Sequence, residues 1–251
     1  MAKKTILHIP HSSTEIPDLT GYLVSNNELE KEKLLLTDWY TDDLFSLPDS
    51  VRVIANFSRV FCDVERFAND EDEVMAGVGM GVTYTATDDG NRLREVSSEL
   101  KAKILRDYYN PHHLKLNAAV AEELSTSGEA LIIDCHSFSN EPFKRDINQD
   151  TPRPDFCIGI DDYHTPRRLY KLAAIGLKML GYNVKLNTPY SGSIVPTKFY
   201  RKNKRVLSIM IEVNRDLYLI PGTNLKSEGY DKLKSNIQGL LKFISSNYDN
   251  K

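Results

Sequence analysis

Ala130-Leu131-Ile132-Ile133-Asp134-Cys135-His136-Ser137-Phe138-Ser139-Asn140 points to an α/β sheet. A short apolar run breaks into Asp-Cys-His-Ser, the pattern of a buried strand that delivers polar groups at its carboxyl end. Open α/β sheets place their ligands at such ends. Taken alone, His136 is equally well read as a hydrogen-bonded loop histidine, so the other strand ends decide its meaning. Thr5-Ile6-Leu7-His8-Ile9-Pro10 is a second strand pattern and empties into His11-Ser12-Ser13-Thr14. A third, Arg205 to Val213, carries Glu212 after Ile209-Met210-Ile211. A carboxylate in such a run costs several kcal/mol if buried unpaired. It therefore has either a task or a cation such as Arg215.

The whole chain sets the limits. Its 251 residues fit one large α/β domain spanning 1–251, and 27% charged with 41% hydrophobic residues is the balance of a globular protein. With 32 Lys plus Arg against 35 Asp plus Glu, the net charge of −3 offers no basic field for nucleic acid or an anionic membrane. Met1-Ala2-Lys3-Lys4 leads straight into a strand without a signal-type apolar region, and no window is long enough to span a membrane. The expected location is the cytoplasm. Cys62, Cys135 and Cys157 lie in apolar segments without C-x-x-C spacing and read as reduced core residues.

Between these strands the chain suits a helix from Glu28 to Leu47, broken near Thr37 because Thr37-Asp38 resembles an N-cap with an acidic first turn. Val51 to Asn56 and Val60 to Val64 read as strands. Gly77-Val78-Gly79-Met80-Gly81 lacks the context of a nucleotide loop and is expected to form a flap over the site. Asn91 to Ser127 is helical with an interruption at Pro111, predicting two helices that meet beside His112-His113. A strand over Asp155 to Gly159, a helix from Thr165 to Leu180, an edge strand over Asn183 to Asn187 and a closing helix from Gly229 to Tyr248 complete the pattern.

His11, His136, Asp38 and Glu212 are the side chains a zinc hydrolase needs: imidazoles and a carboxylate to hold the ion, and a further carboxylate to take a proton from water. Spacing alone does not place them together, since no H-E-x-x-H occurs and Thr14 stands where H-x-x-E would have its glutamate.

Six further blocks bear on the question. Pro10-His11-Ser12-Ser13-x-x-Ile16-Pro17, Thr37-Asp38-Trp39, Ser58-Arg59 with Asp63-x-Glu65-Arg66, Tyr109-x-Pro111-x-His113, Asp134-x-His136-Ser137 and Ile211-Glu212 together resemble the N-formylglutamate amidohydrolase family. A more distant similarity is to zinc carboxypeptidases and aspartoacylase-like deacylases, whose H-S-x-S looks like His136-Ser137-Phe138-Ser139. The resemblance implies a three-layer α/β/α sandwich with a mixed sheet, phosphorylase/hydrolase-like, that hydrolyses an amide bond with one zinc ion or another divalent metal. It makes His11 and His136 metal ligands, with Asp38 as the third and Asp63 as the alternative. Glu212 becomes the general base, and Arg66 the cation facing the reacting carbonyl. Arg59, Glu65, His113, Tyr190, Ser191, Gly192 and Arg215 become candidate substrate contacts, Ser191-Gly192-Ser193-Ile194 being similar to a glycine-serine loop of the family. The family's D-x-N-R reads Asp63-Val64-Glu65-Arg66 here, with an acid in place of a neutral amide. The substrate expected is an N-acyl amino acid, N-formylglutamate among them. A small or cell-wall peptide, or a binding protein that kept the pocket, is the alternative.

Overall fold

The computed structural model describes residues 4–248, so the outer ends of the expected 1–251 unit, including Met1-Ala2-Lys3, lie outside the described residues. In chain order the elements are β1 (Thr5–Ile9), α1 (Asn26–Leu36), α2 (Thr41–Leu44), β2 (Val51–Ile54), α3 (Ser98–Ile104), α4 (Asn110–Ser127), β3 (Ala130–Phe138), β4 (Phe156–Gly159), α5 (Arg167–Met179), β5 (Val184–Leu186), β6 (Val206–Asn214) and α6 (Tyr230–Asn247), with short 3-10 and π turns between. The strands form one mixed sheet in the order β2-β1-β3-β6-β4-β5. The first four are parallel, and β4 runs antiparallel to β6 while pairing parallel with β5.

Side chains alternate across the sheet, and the two faces carry different partners. Leu7, Ile9, Ile133, Cys135, Ile209 and Ile211 pack in one buried cluster with residues of α5 and α6. Ile6, Ala130, Ile132 and Val206 pack on the other face with Leu116, Ala119 and Val120 of α4. Burying an aliphatic side chain of this size is worth about 1.5–3 kcal/mol, so these stripes supply the main force that holds the helices to the sheet. On the α4 face the apolar stripe turns polar toward the carboxyl ends of the strands. Ile6 is followed by His8, Ile132 by Asp134 and His136, and Met210 by Glu212. The register pairs His8 with Asp134 and His136 with Glu212, which sets the polar groups side by side.

Several expected boundaries move. The segment Val60 to Val64 is not a strand, because Phe61 and Cys62 both donate to Ser58 O and Arg66 donates to Asp63 O in successive turns. Thr37 closes α1 rather than opening the next helix, and Asp38 lies in the connector, its N–H donating to His11 O at 3.0 Å. That bond ties the two loops together. The tract from Asn91 begins helical structure only at Ser98, where the Ser97 side chain accepts from Leu100 N–H. Pro111 does not split the helix. The missing proline N–H is absorbed by a π-helical turn over Leu105–Tyr109, with Asn110 N–H reaching back five residues to Leu105 O, and the helix runs on as α4. The glycine stretch forms a 3-10 turn over Val74–Val78 that ends at Gly79. That residue has a φ of +77°, and a Cβ there would lie 2.6 Å from the Cβ of Ala86. Cys62, Cys135 and Cys157 are free and buried as expected.

Candidate active site

A cavity of about 570 Å³ opens at the carboxyl ends of β1, β3 and β6. It brings together His11, Asp38, Arg59, Glu65, Arg66, His113, His136, Tyr190, Ser191, Gly192 and Glu212. Arg215 alone among the expected contacts does not line it. Its guanidinium is spent behind the site, donating to Leu35 O at 2.6 Å, Asp38 Oδ1 at 2.9 Å, and both Oγ and O of Ser137. Arg215 therefore buttresses Asp38, and the ion pair considered for Glu212 goes to Asp38 instead.

Each histidine has a carboxylate on one ring nitrogen. His11 Nε2 lies 2.8 Å from Asp63 Oδ1, and His136 Nε2 lies 3.1 Å from Asp134 Oδ1. Metal-binding histidines commonly hold their outward nitrogen to a carboxylate in this way, which fixes the tautomer and frees the other nitrogen. The free nitrogens converge on Asp38. Its Oδ2 is 3.1 Å from His136 Nδ1 and 3.7 Å from His11 Nδ1, a buried atom with no hydrogen-bond partner. Donors about 2.0–2.1 Å from a tetrahedral zinc stand roughly 3.3 Å apart, so these two spacings bracket the value for one ion. A second grouping is His11, Glu65 and His136, in which one ligand atom of each lies within 4.8 Å of the others. Its contact with His136 is at Nε2, 3.1 Å away, on the side already met by Asp134. Asp38 is favoured as the third ligand because its Oδ2 faces the otherwise unpartnered Nδ1 of His11 and the Nδ1 of His136. Asp63, the alternative ligand, is instead the brace of His11, and it also accepts from Arg59 and Tyr84.

Electrostatics follow from this packing. Burial works against the charge on Asp38, yet the hydrogen-bonded His136, the nearby His11 and Arg215 together hold its carboxyl well below the usual range. His136 is held well above the ordinary imidazole value despite burial, because Glu65 and Asp134 stabilise its charged form. Glu212 goes the other way. Burial pushes it up to about 8, with Asp38 and Glu65 adding repulsion against the attraction of His136. Its side chain is 6% exposed and takes no hydrogen bond among the described residues. Arg66 donates through Nε to Met80 O at 3.2 Å, and its terminal nitrogens have no partner among the described residues. His113 lines the cavity with a buried, unpartnered Nε2, and burial, reinforced by His8, pushes it down to about 4.

One part of the site was not expected. His8 pairs through Nδ1 with Asp134 Oδ1 at 2.8 Å and through Nε2 with His112 Nε2 at 2.9 Å. Burial drives the His112 imidazole down to about 2, so it is neutral and shares a single N–H···N hydrogen bond with His8. The signal in the sequence was a histidine inside an apolar strand, a position that demands a partner.

These features define a mixed-sheet α/β protein with a buried histidine–carboxylate cluster in a cavity at its strand ends. The chain belongs to the N-formylglutamate amidohydrolase family, whose profile matches residues 3–219. It is similar to the N-formylglutamate amidohydrolase from Ralstonia eutropha JMP134, with 25% identity and a TM-score of 0.86 over 98% of this chain and 94% of that one. The gene product Atu2144 from Agrobacterium tumefaciens shares the fold at 18% identity, with a TM-score of 0.72 over 98% of this chain and 92% of that one. None of the curated proteins matches the chain. The family is one of hydrolases that act on an amide bond in a small molecule. Among the described residues no helix is long and apolar enough to cross a membrane.

Proposed function

We propose that the protein is a zinc-dependent amidohydrolase of N-acyl amino acids, the class to which N-formylglutamate belongs. The observation that carries this reading is the meeting of His11 Nδ1, His136 Nδ1 and Asp38 Oδ2 in the cavity that Glu212 also lines. His11, His136 and Asp38 would hold the ion, which when bound supplies Lewis acidity and a water acidic enough to attack near neutral pH. Asp63 and Asp134 keep the two imidazoles oriented, and Arg215 keeps Asp38 in place.

Glu212 carries the proton. Its carboxylate accepts one from the attacking water and returns it to the leaving amine nitrogen, and a group poised near neutrality is suited to both transfers. The free guanidinium nitrogens of Arg66 face the cavity as donors for a substrate oxygen. His113, kept neutral by burial, offers Nε2 as an acceptor to a substrate N–H.

Formate release from a panel of N-formyl amino acids checks the reading. The zinc-loaded chain is expected to turn over at least one member, and a strong chelator is expected to abolish turnover that added zinc restores. Turnover untouched by exhaustive chelation would refute the metal-dependent mechanism. Cleavage confined to peptides would favour the peptidase alternative.

A further inference from the structure

Two large apolar side chains stand at the cavity from different loops, and each is held there. Ile147 is 80% exposed, yet its neighbours are clamped by Arg153, which donates to Asp146 Oδ2 at 2.7 Å and to Asn148 O at 3.0 Å. Phe67 is 56% exposed, and its loop is fixed by Phe67 N–H donating to Glu73 Oε2 and by Tyr109 donating to Arg66 O. Both side chains line the cavity, together with Met75, Met80 and Phe143. Large exposed apolar groups gathered at the rim of a pocket, on chain segments that hydrogen bonds fix, mark a surface that a ligand covers.

The charges point the same way. Arg59 is engaged by Asp63 and Tyr84, Arg153 by Asp146, and Arg215 by Asp38. Arg66 is left as the arginine of the cavity whose terminal nitrogens are uncommitted. With it in the lining are Glu65, in the place of a neutral amide, Glu212 and Asp161. A substrate with one carboxylate can be matched here. A second carboxylate would meet acids across a low dielectric.

Building on the amidohydrolase reading, we infer that the preferred substrate is an N-acyl amino acid with an apolar side chain, seated against Phe67 and Ile147, and with its single carboxylate on Arg66. Arg59, the other arginine of the cavity, is already paired with Asp63, so among the described residues the side-chain carboxylate of N-formylglutamate meets no unpaired cation there. The preference therefore arises from contacts away from the reacting amide and appears in binding as well as in turnover.

Calorimetric titration of the zinc-loaded Glu212→Gln chain with N-formyl-L-leucine and N-formyl-L-glutamate tests this, since it reads affinity without cleavage. The leucine compound is expected to bind at least tenfold more tightly, and Phe67→Ser with Ile147→Ser is expected to bring the ratio of the two affinities close to one. Equal or tighter binding of the glutamate compound overturns the inference, as does failure to bind either. A ratio unchanged by the double substitution also overturns it. Tight binding of the leucine compound by a parent chain that never cleaves it would support the inference and overturn the amidohydrolase reading, so the two failures are distinct.

Discussion

Glu212→Gln is expected to lower kcat by about 10²–10⁴-fold, the usual contribution of a positioned acid–base group, while KM changes little. Glutamine keeps the shape and polarity of the side chain but can neither take a proton from water nor return it. The same substitution is expected to stabilise the metal-free chain. The Glu212 carboxyl is raised by burial from 4.5 to about 8, so its stabilising contribution is intact below the unfolded value near 4.5 and is lost as pH rises through about 8. At pH 8 the glutamine variant is therefore expected to be more stable than the parent by on the order of 4 kcal/mol, at about 1.4 kcal/mol per pH unit between about 4.5 and 8. Near pH 4, where the parent carboxyl is neutral in both states, the gap is expected to close. Thermal unfolding at the two pH values, beside steady-state kinetics, checks both halves. A variant that is inactive and less stable at pH 8 would mean that Glu212 is a structural carboxylate.

His11→Ala and His136→Ala are expected to abolish zinc binding, whereas Asp63→Asn, which leaves His11 in place but loosens its orientation, is expected to weaken zinc affinity about 10–100-fold. The grading follows from position: the histidines offer the donor atoms, and Asp63 acts only through His11 Nε2. Zinc affinity is also expected to fall as pH is lowered. Glu65 and Asp134 hold a proton on His136 in the metal-free chain against the effect of burial, and the ion must displace that proton. Metal analysis after dialysis gives the stoichiometry, and competition with a chelator gives the affinities. Full zinc retention by His136→Ala would contradict the assignment.

The strand ends were legible in the sequence because they depend on local pattern. Apolar runs ending in His11, His136 and Glu212 predict buried strands with polar ends, and the sheet sets His136 and Glu212 directly across from each other. What the residues do to one another was less legible. Asp38 was expected at a helix start and lies two residues beyond α1, fixed by His11 O and Arg215, which are 27 and 177 positions away. Asp63 was weighed as a ligand because nothing local shows that its partner is His11 Nε2, 52 positions away. Pro111 misled in a different manner. Its lost hydrogen bond predicts a break, and only the helix geometry reveals that a π turn accommodates it. His8 escaped notice because its meaning lies in Asp134 and His112, both brought to it by the fold.

The central claim is that one metal site is shared by His11, His136 and Asp38, beside Glu212. Diffraction from crystals of the zinc-loaded chain, collected on both sides of the zinc absorption edge, tests it most directly. One strong anomalous peak is expected about 2.0–2.2 Å from His11 Nδ1, His136 Nδ1 and Asp38 Oδ2. A peak seated among His8, Glu65 and Asp134, or no peak in the cavity at saturating zinc, would contradict it.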